Sequence, residues 1–164
     1  VGRCPCSESL LVSKALSGPA GFEFHADVWL PGDSLREIAL LAVDEAGAEC
    51  EVRVNLTLPD QGSGGVVRAS DGEWLAELDL AAQQWLKAEG WNDVRLKCEG
   101  GGVSVRVNGW PAADVALQSP TGEPALLGYR IALVVPGDGG QVRWRYLRSR
   151  ALDELSADGQ VRLK

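Results

Sequence analysis

Gly90-Trp91-Asn92-Asp93-Val94-Arg95-Leu96-Lys97-Cys98-Glu99-Gly100-Gly101-Gly102-Val103-Ser104-Val105-Arg106-Val107-Asn108-Gly109 is the stretch that decides the fold. Val94, Leu96 and Cys98 alternate with Arg95 and Lys97, and Val103, Val105 and Val107 alternate with Ser104, Arg106 and Asn108. A period of two, with one apolar and one polar face, is the pattern of an antiparallel strand with a wet side. Glu99-Gly100-Gly101-Gly102 supplies the turn between the two strands, and Asn108-Gly109 is a primed-turn dipeptide that closes the next hairpin.

The same pattern recurs on both sides. Phe22, Phe24, Ala26, Val28 and Leu30 alternate with Glu23, His25, Asp27 and Trp29. Val52, Val54, Leu56 and Leu58 alternate with Glu51, Arg53, Asn55 and Thr57. Tyr129, Ile131, Leu133 and Val135 form another run, and Val142, Trp144 and Tyr146 a last one. Leu30-Pro31-Gly32-Asp33 and Pro136-Gly137-Asp138-Gly139-Gly140 punctuate them. Many short strands with turn signals every ten or so residues predict an all-β antiparallel sandwich or jelly roll. One segment departs from period two: Asp79 is placed to cap a short helix over Leu80–Ala88, with Gly90 as its stop.

The chain has 164 residues, enough for one domain with a sizeable core. Apolar residues make up 45% and charged residues 24%, which is an ordinary globular balance. No apolar run approaches the length of a membrane-spanning helix. The formal charge of −7 argues against nucleic acid as a partner, since phosphate binding needs a basic footprint. Arg143, Arg145, Arg148 and Arg150 form the basic cluster, read as the wet face of one strand. With a single histidine, His25, no multi-histidine metal centre can form; a Ser-His-Asp or Cys-His centre would have to be built on His25 alone, and acid chemistry through Asp and Glu remains open. Arginine outnumbers lysine 12 to 4 and methionine is absent, a composition typical of a GC-rich, bacterial genome. A start at Val1 fits a processed, extracytoplasmic chain.

Four cysteines, Cys4, Cys6, Cys50 and Cys98, are disulfide candidates, and an even count fits an oxidising compartment. Cys50 and Cys98 each sit in a strand pattern and could be cross-strand neighbours. Cys4-Pro5-Cys6 is too tight for an easy internal bridge. It could instead pair with the other two, reach another subunit or stay reduced. A Cys-x-Cys pair alone lacks zinc-site spacing, so no metal is expected there.

The stretch from Gly90 to Trp110 resembles the central hairpin of the 3-keto-disaccharide hydrolase family, also called domain of unknown function 1080, a glycoside-hydrolase-16-like group. Phe22–Leu30 resembles that family's early strand. Gly128-Tyr129-Arg130-Ile131-Ala132-Leu133 and Val142-Arg143-Trp144-Arg145-Tyr146-Leu147 resemble its closing pair. The resemblance runs from Leu10 to Leu155. It implies a concanavalin-like jelly roll over 13–155, an N-terminal extension over 1–12, and a tail or small extra strand over 156–164. In the hairpin, Trp91, Asn92 and Gly109 are read first as fold residues.

The family resemblance also implies a site on the concave sheet, and this chain departs from it. Asp33-Ser34-Leu35-Arg36-Glu37-Ile38 lacks the expected glycine. Cys50-Glu51-Val52-Arg53 keeps the acid but has arginine for glutamine. Leu133-Val134-Val135-Pro136-Gly137 has lost a glutamine and a histidine. If the chain is active, Glu51 is the catalytic acid, with Glu23 or Asp27 as its partner. Hydrolysis needs paired carboxylates or a metal-held water at a fixed separation. Glu51 beside Arg53 reads instead as a charge pair, which predicts a degenerate member without turnover. Glu77-Leu78-Asp79-Leu80 resembles the start of a laminarinase-like acidic strand, but its third acid is missing.

Six tryptophans against two Tyr and two Phe point to sugar platforms or to core filling. Trp29, on the polar phase of its strand, and Trp110, after a turn, are the expected exposed platforms, with Arg53 and His25 as polar ligand contacts. Asp60, Asp71 and Asp138 lie in loops where a structural calcium could gather ligands, although no twelve-residue calcium loop is present. Asn55-Leu56-Thr57 fits a glycosylation sequon and is read as chance. Three functions follow: a non-catalytic module binding glycan or another ligand; a structural subunit of an extracellular assembly, joined to neighbouring protein subunits through Val1–Val12; and an active hydrolase of 3-keto-glycosides.

Overall fold

The structure, a computed structural model, describes residues 9–12, 21–31, 36–44, 49–117, 126–135 and 143–152. They form eleven strands and one short helix: β1 Ser9–Val12, β2 Phe22–Leu30, β3 Arg36–Asp44, β4 Glu49–Leu56, β5 Gly65–Arg68, β6 Trp74–Glu77, α1 Leu80–Gln84, β7 Gly90–Glu99, β8 Gly102–Val107, β9 Trp110–Ala116, β10 Leu126–Val135 and β11 Trp144–Ala151. A six-stranded sheet runs β1-β10-β3-β4-β5-β6, and a five-stranded sheet runs β11-β2-β7-β8-β9. Every pairing is antiparallel. This is the two-sheet jelly roll expected from the alternation.

The inward phase of each strand builds the core between the sheets. Phe22, Phe24, Ala26, Val28 and Leu30 of β2 join Val94, Leu96 and Cys98 of β7 and Val103, Val105 and Val107 of β8. They meet Ile38, Leu40 and Ala42 of β3, Val52, Val54 and Leu56 of β4, and Tyr129, Ile131 and Leu133 of β10. Burying one such Leu or Val side chain stabilises the fold by about 1.5–3 kcal/mol. The turn glycines behave as predicted: Gly100 and Gly101 take φ of +56° and +77°, and Asn108-Gly109 takes +50° and +85°.

Strand β3 escapes an alternation reading. Its centre, Ile38-Ala39-Leu40-Leu41-Ala42-Val43, is apolar on both phases. The reason lies on the outer face of the six-stranded sheet, where Ala39, Ala132 and Val134 form a second buried cluster. Small side chains there are enclosed by their neighbours, so neither face of β3 carries the usual polar signal.

The helix ends at Gln84, earlier than expected. Asp79 caps it as predicted, accepting from the Ala81 N–H at 2.7 Å. Beyond Gln84 the backbone groups have other partners. Asn108 Nδ2 donates to the Trp85 carbonyl at 2.7 Å, and Asn92 Oδ1 accepts from the Lys87 N–H at 2.8 Å. Buried Gln83 donates to the carbonyls of Thr57 and Gly62, tying the helix to the loop after β4. Asp79 is thereby a cap and Glu77 a strand end, not two carboxylates lining a cleft.

The last strand contains a bulge. Its register shifts between Arg145 and Arg148, with Tyr146 at φ +53°. The bulge puts Arg145 opposite Asp27, Arg148 opposite His25 and Arg150 opposite Glu23 on one exposed face, as read from the sequence. Tyr146 is therefore exposed and not an inward residue. Ser9–Val12 pairs with β10 as an edge strand of the six-stranded sheet, so this part of the expected extension joins the sandwich. Cys4, Cys6, Asp138, Val142 and the tail 156–164 lie outside the described residues.

Cys50 and Cys98, which their strand patterns allowed as cross-strand neighbours, are not neighbours. Cys50 lies on β4 opposite Ala42, whereas Cys98 lies on β7 opposite Phe22 and Val103. The two are in different sheets and both are free thiols. Burial raises the pKa of each thiol, and pushes Cys98 up to about 12.

Candidate functional site

The residues singled out from the sequence fall into three separate places. Glu51 and Arg53 lie on the outer face of the six-stranded sheet. Glu23, His25, Asp27 and Trp29 lie on the outer face of the five-stranded sheet. Trp110 lies at one end of the sandwich. Facing sheets pack about 10 Å apart, so outward groups on opposite sheets are separated by the whole sandwich. Glu51 therefore never meets Glu23 or Asp27. Glu23 and Asp27 themselves stand four residues apart on one strand, roughly 13 Å at the usual rise. Neither combination gives the carboxylate separation of about 5–9.5 Å that glycoside hydrolysis uses.

On the six-stranded sheet, β4 projects Glu51, Arg53 and Asn55 outward, because Val52, Val54 and Leu56 point into the core. Arg53 is held from two sides. Its Nε donates to Glu51 Oε1 at 2.8 Å and its Nη1 donates to Glu37 Oε2 on β3 at 3.2 Å. All three side chains are about four-fifths buried: 21% exposed for Arg53, 25% for Glu51 and 18% for Glu37. The guanidinium plane is thus fixed, with about a fifth of each side chain left exposed.

Across β5 and β6 the same face carries an aromatic ring. Arg53 stands opposite Val67, Val67 opposite Trp74, and Asn55 opposite Gly65. The Trp74 indole lies against the backbone of Gly65, where a Cβ would sit 2.7 Å from ring atom Cε3. The other side of Trp74 is open, and the residue is 48% exposed. Asn55 Oδ1 is enclosed and accepts no hydrogen bond. An enclosed polar atom without a partner is uncommon and marks a place for water or ligand. At the far end of the β5–β6 hairpin, Arg68 bonds Asp71 and Glu73. The Glu73 N–H, with Arg68, holds Asp71 below the usual carboxylate range. Trp74 and Glu37 were not picked out as ligand contacts from the sequence, and Asn55 only as part of a glycosylation sequon. Trp74 falls on a four-residue strand too short to show a period.

On the five-stranded sheet, polar groups pair along the strands. Arg145 Nε donates to Asp27 Oδ2 at 2.9 Å, Arg95 Nε donates to Asp93 Oδ1 at 3.1 Å, and Arg150 Nε donates to Glu23 at 2.8 Å. Trp29 is not an open platform. Its ring meets Trp91 edge-on at 5.5 Å, with the Arg143 guanidinium 5.7 Å from its centroid. Arg145 lies 4.2 Å over Trp91. Trp110 stacks on Trp85 at 5.9 Å with rings 6° apart, which covers one face of each. Of the loop carboxylates suggested for calcium, Asp71 is engaged by Arg68 and its own turn, and Asp60 is exposed.

No protein-family model matches the chain, and no curated protein matches its sequence. Solved structures do match. A tetrameric galectin from the ball sponge Cinachyrella superposes with a TM-score of 0.58 at 10% identity, covering 87% of this chain and all of the galectin. Carbohydrate-binding module CBM66 from Bacillus subtilis gives 0.57 at 13%, covering 88% and 82%. A provisionally assigned glycosyl hydrolase from Parabacteroides distasonis gives 0.55 at 14%, covering 89% and 84%. The fold is the concanavalin-like jelly-roll sandwich that galectins and carbohydrate-binding modules share. The likeness is to that wider class and does not single out the 3-keto-disaccharide hydrolases.

Proposed function

We propose that the chain is a non-catalytic glycan-binding module whose site is the outer face of β3–β6. The observation that carries this reading is the half-exposed Trp74 ring, seated on Gly65 on the same sheet face as the clamped guanidinium of Arg53, two strands away. A pyranose has an apolar face that rests on an indole and hydroxyls that exchange hydrogen bonds with fixed planar groups. Arg53 donates to hydroxyl oxygens, and the Glu37 and Glu51 carboxylates accept from hydroxyl protons. Sites of this kind join an aromatic surface to a few placed polar groups. The galectin and carbohydrate-binding-module names among the similar folds support the substrate class by analogy.

Turnover is not part of this reading. The two carboxylates nearest the Arg53 guanidinium, Glu51 and Glu37, are both ion-paired to it. An extracytoplasmic location goes with the proposed ligand. The assembly-subunit reading has one structural point in its favour, the edge strand Ser9–Val12, and native mass with and without reductant tests it.

The direct test is binding of the purified chain to a glycan panel, followed by calorimetry on the best ligand. Trp74→Ala and Arg53→Lys are expected to weaken binding by about tenfold or more, since a lone ammonium cannot reproduce the guanidinium fork. Unchanged affinity in both variants, or release of sugar from a 3-keto-glycoside, would overturn the reading.

A further inference from the structure

We propose that His25, Asp27 and Asp93, on the outer face of the five-stranded sheet, form a site for a borderline divalent metal ion, with Zn2+ as the best-fitting occupant. This site is independent of the glycan reading and lies on the opposite surface of the sandwich. His25 and Asp27 are two apart on β2, so they share a face, and Asp93 on β7 stands directly opposite Asp27. One ligand atom from each, the imidazole nitrogen and two carboxylate oxygens, lies within 4.8 Å of the others.

The orientation of the carboxylates is the main argument. Asp27 presents Oδ2 to Arg145 and turns Oδ1 toward His25 Nε2, at 3.9 Å. Asp93 presents Oδ1 to Arg95 and turns Oδ2 to the same nitrogen as an ion-pair neighbour. Each acid thus uses its outer oxygen on a guanidinium and aims its inner oxygen at one common point. Metal-ligating carboxylates are held in this way by outer hydrogen bonds that fix their orientation. The third group meets both acids: His25 Nε2 is enclosed and has the inner oxygens of Asp93 and Asp27 as its ion-pair neighbours.

The ligand set selects the ion. One imidazole with two carboxylates suits zinc, at metal–ligand distances of about 2.0–2.2 Å, and leaves a fourth position for water. Magnesium and calcium prefer all-oxygen shells with more ligands. The cations around the site, Arg145, Arg95 and Arg148, and the absence of a fourth protein ligand among the described residues weaken the hold on the ion.

The test is calorimetric titration of the chelator-stripped, tag-free chain with Zn2+, Ca2+ and Mg2+, followed by NMR of the imidazole. His25 is the sole histidine, so its ring protons report on the site directly. The expected result is one equivalent of Zn2+ with a shift of those resonances. Binding should fall at least tenfold in His25→Ala and Asp93→Asn, stay unchanged in Asp60→Asn, and be absent for Mg2+ and Ca2+. Far-UV circular dichroism confirms that each variant is folded. Imidazole resonances unmoved at millimolar Zn2+ would overturn the proposal. So would equal zinc binding by folded His25→Ala.

Discussion

The Trp74 indole rests on the backbone of Gly65, two strands from the centre of its sheet, and leaves no room there for even a methyl group. A Cβ at Gly65 would meet Cε3 at 2.7 Å and would also press on the backbone carbonyl of Ala76. Glycine is needed here for close approach and not for an unusual φ. Gly65→Ala is expected to destabilise the fold by about 1–3 kcal/mol and to weaken glycan binding by displacing the ring. In Gly65→Ala/Trp74→Ala the two costs should be less than additive, by about 0.5 kcal/mol or more. Urea unfolding of both single variants and the double variant measures this; strict additivity would mean that the ring and the glycine are not in contact.

Asn92 is the polar keystone at the end of the hairpin that decides the fold. Fully enclosed, it accepts from Lys87 N–H and from Asn108 Nδ2, and it donates to the carbonyls of Lys87 and Gly90. Asn92→Ala leaves these groups without partners in the interior. A loss of about 3 kcal/mol is expected, seen as a lower urea midpoint at constant slope. A loss below about 0.5 kcal/mol would show that water replaces the side chain without cost.

Cys98 makes stability depend on alkaline pH. Burial raises its pKa from an ordinary 9.0 to about 12. Between those values the unfolded thiol has lost its proton while the folded one keeps it. The native state then binds more protons, so stability is full below about pH 9 and falls as pH rises, by up to about 1.4 kcal/mol per unit. Cys98→Ala should flatten this part of the pH profile. It should carry a separate, pH-independent cost from the lost core volume. Native Cys98 is also expected to resist thiol reagents until the chain unfolds, because the neutral thiol is a poor nucleophile.

The sandwich was readable because most of its strands face water on one side. Phe22–Leu30 and Val94–Val107 show clean alternation and observed strands to match. β3 was hidden because Ala39 is enclosed on the face that is normally wet. β5 and β6, four residues each, are too short for a period to appear. The Glu51–Arg53 ion pair was legible because residues two apart on a strand share a face. Trp74 and Glu37 were not, because only strand order and register bring them onto the face that Arg53 shares. The same limit explains the failed grouping of Glu51 with Glu23 and Asp27. Phase within a strand is written in the sequence, but which sheet the strand joins is not. The bulge at Tyr146 is a further case, since one added residue reverses the phase of every side chain after it.

The central claim is that ligand binds the outer face of β3–β6. Titrating the best panel glycan into the nitrogen-15-labelled chain tests it most directly, because six tryptophans give six indole N–H signals. The account predicts that the Trp74 indole and the Arg53 Nε–H shift and saturate together, while the indoles of Trp29, Trp91, Trp85 and Trp110 stay in place. Saturable shifts at Trp29 and Trp91, or at Trp85 and Trp110, with Trp74 unmoved, would contradict it and move the site to the other sheet or to the end of the sandwich.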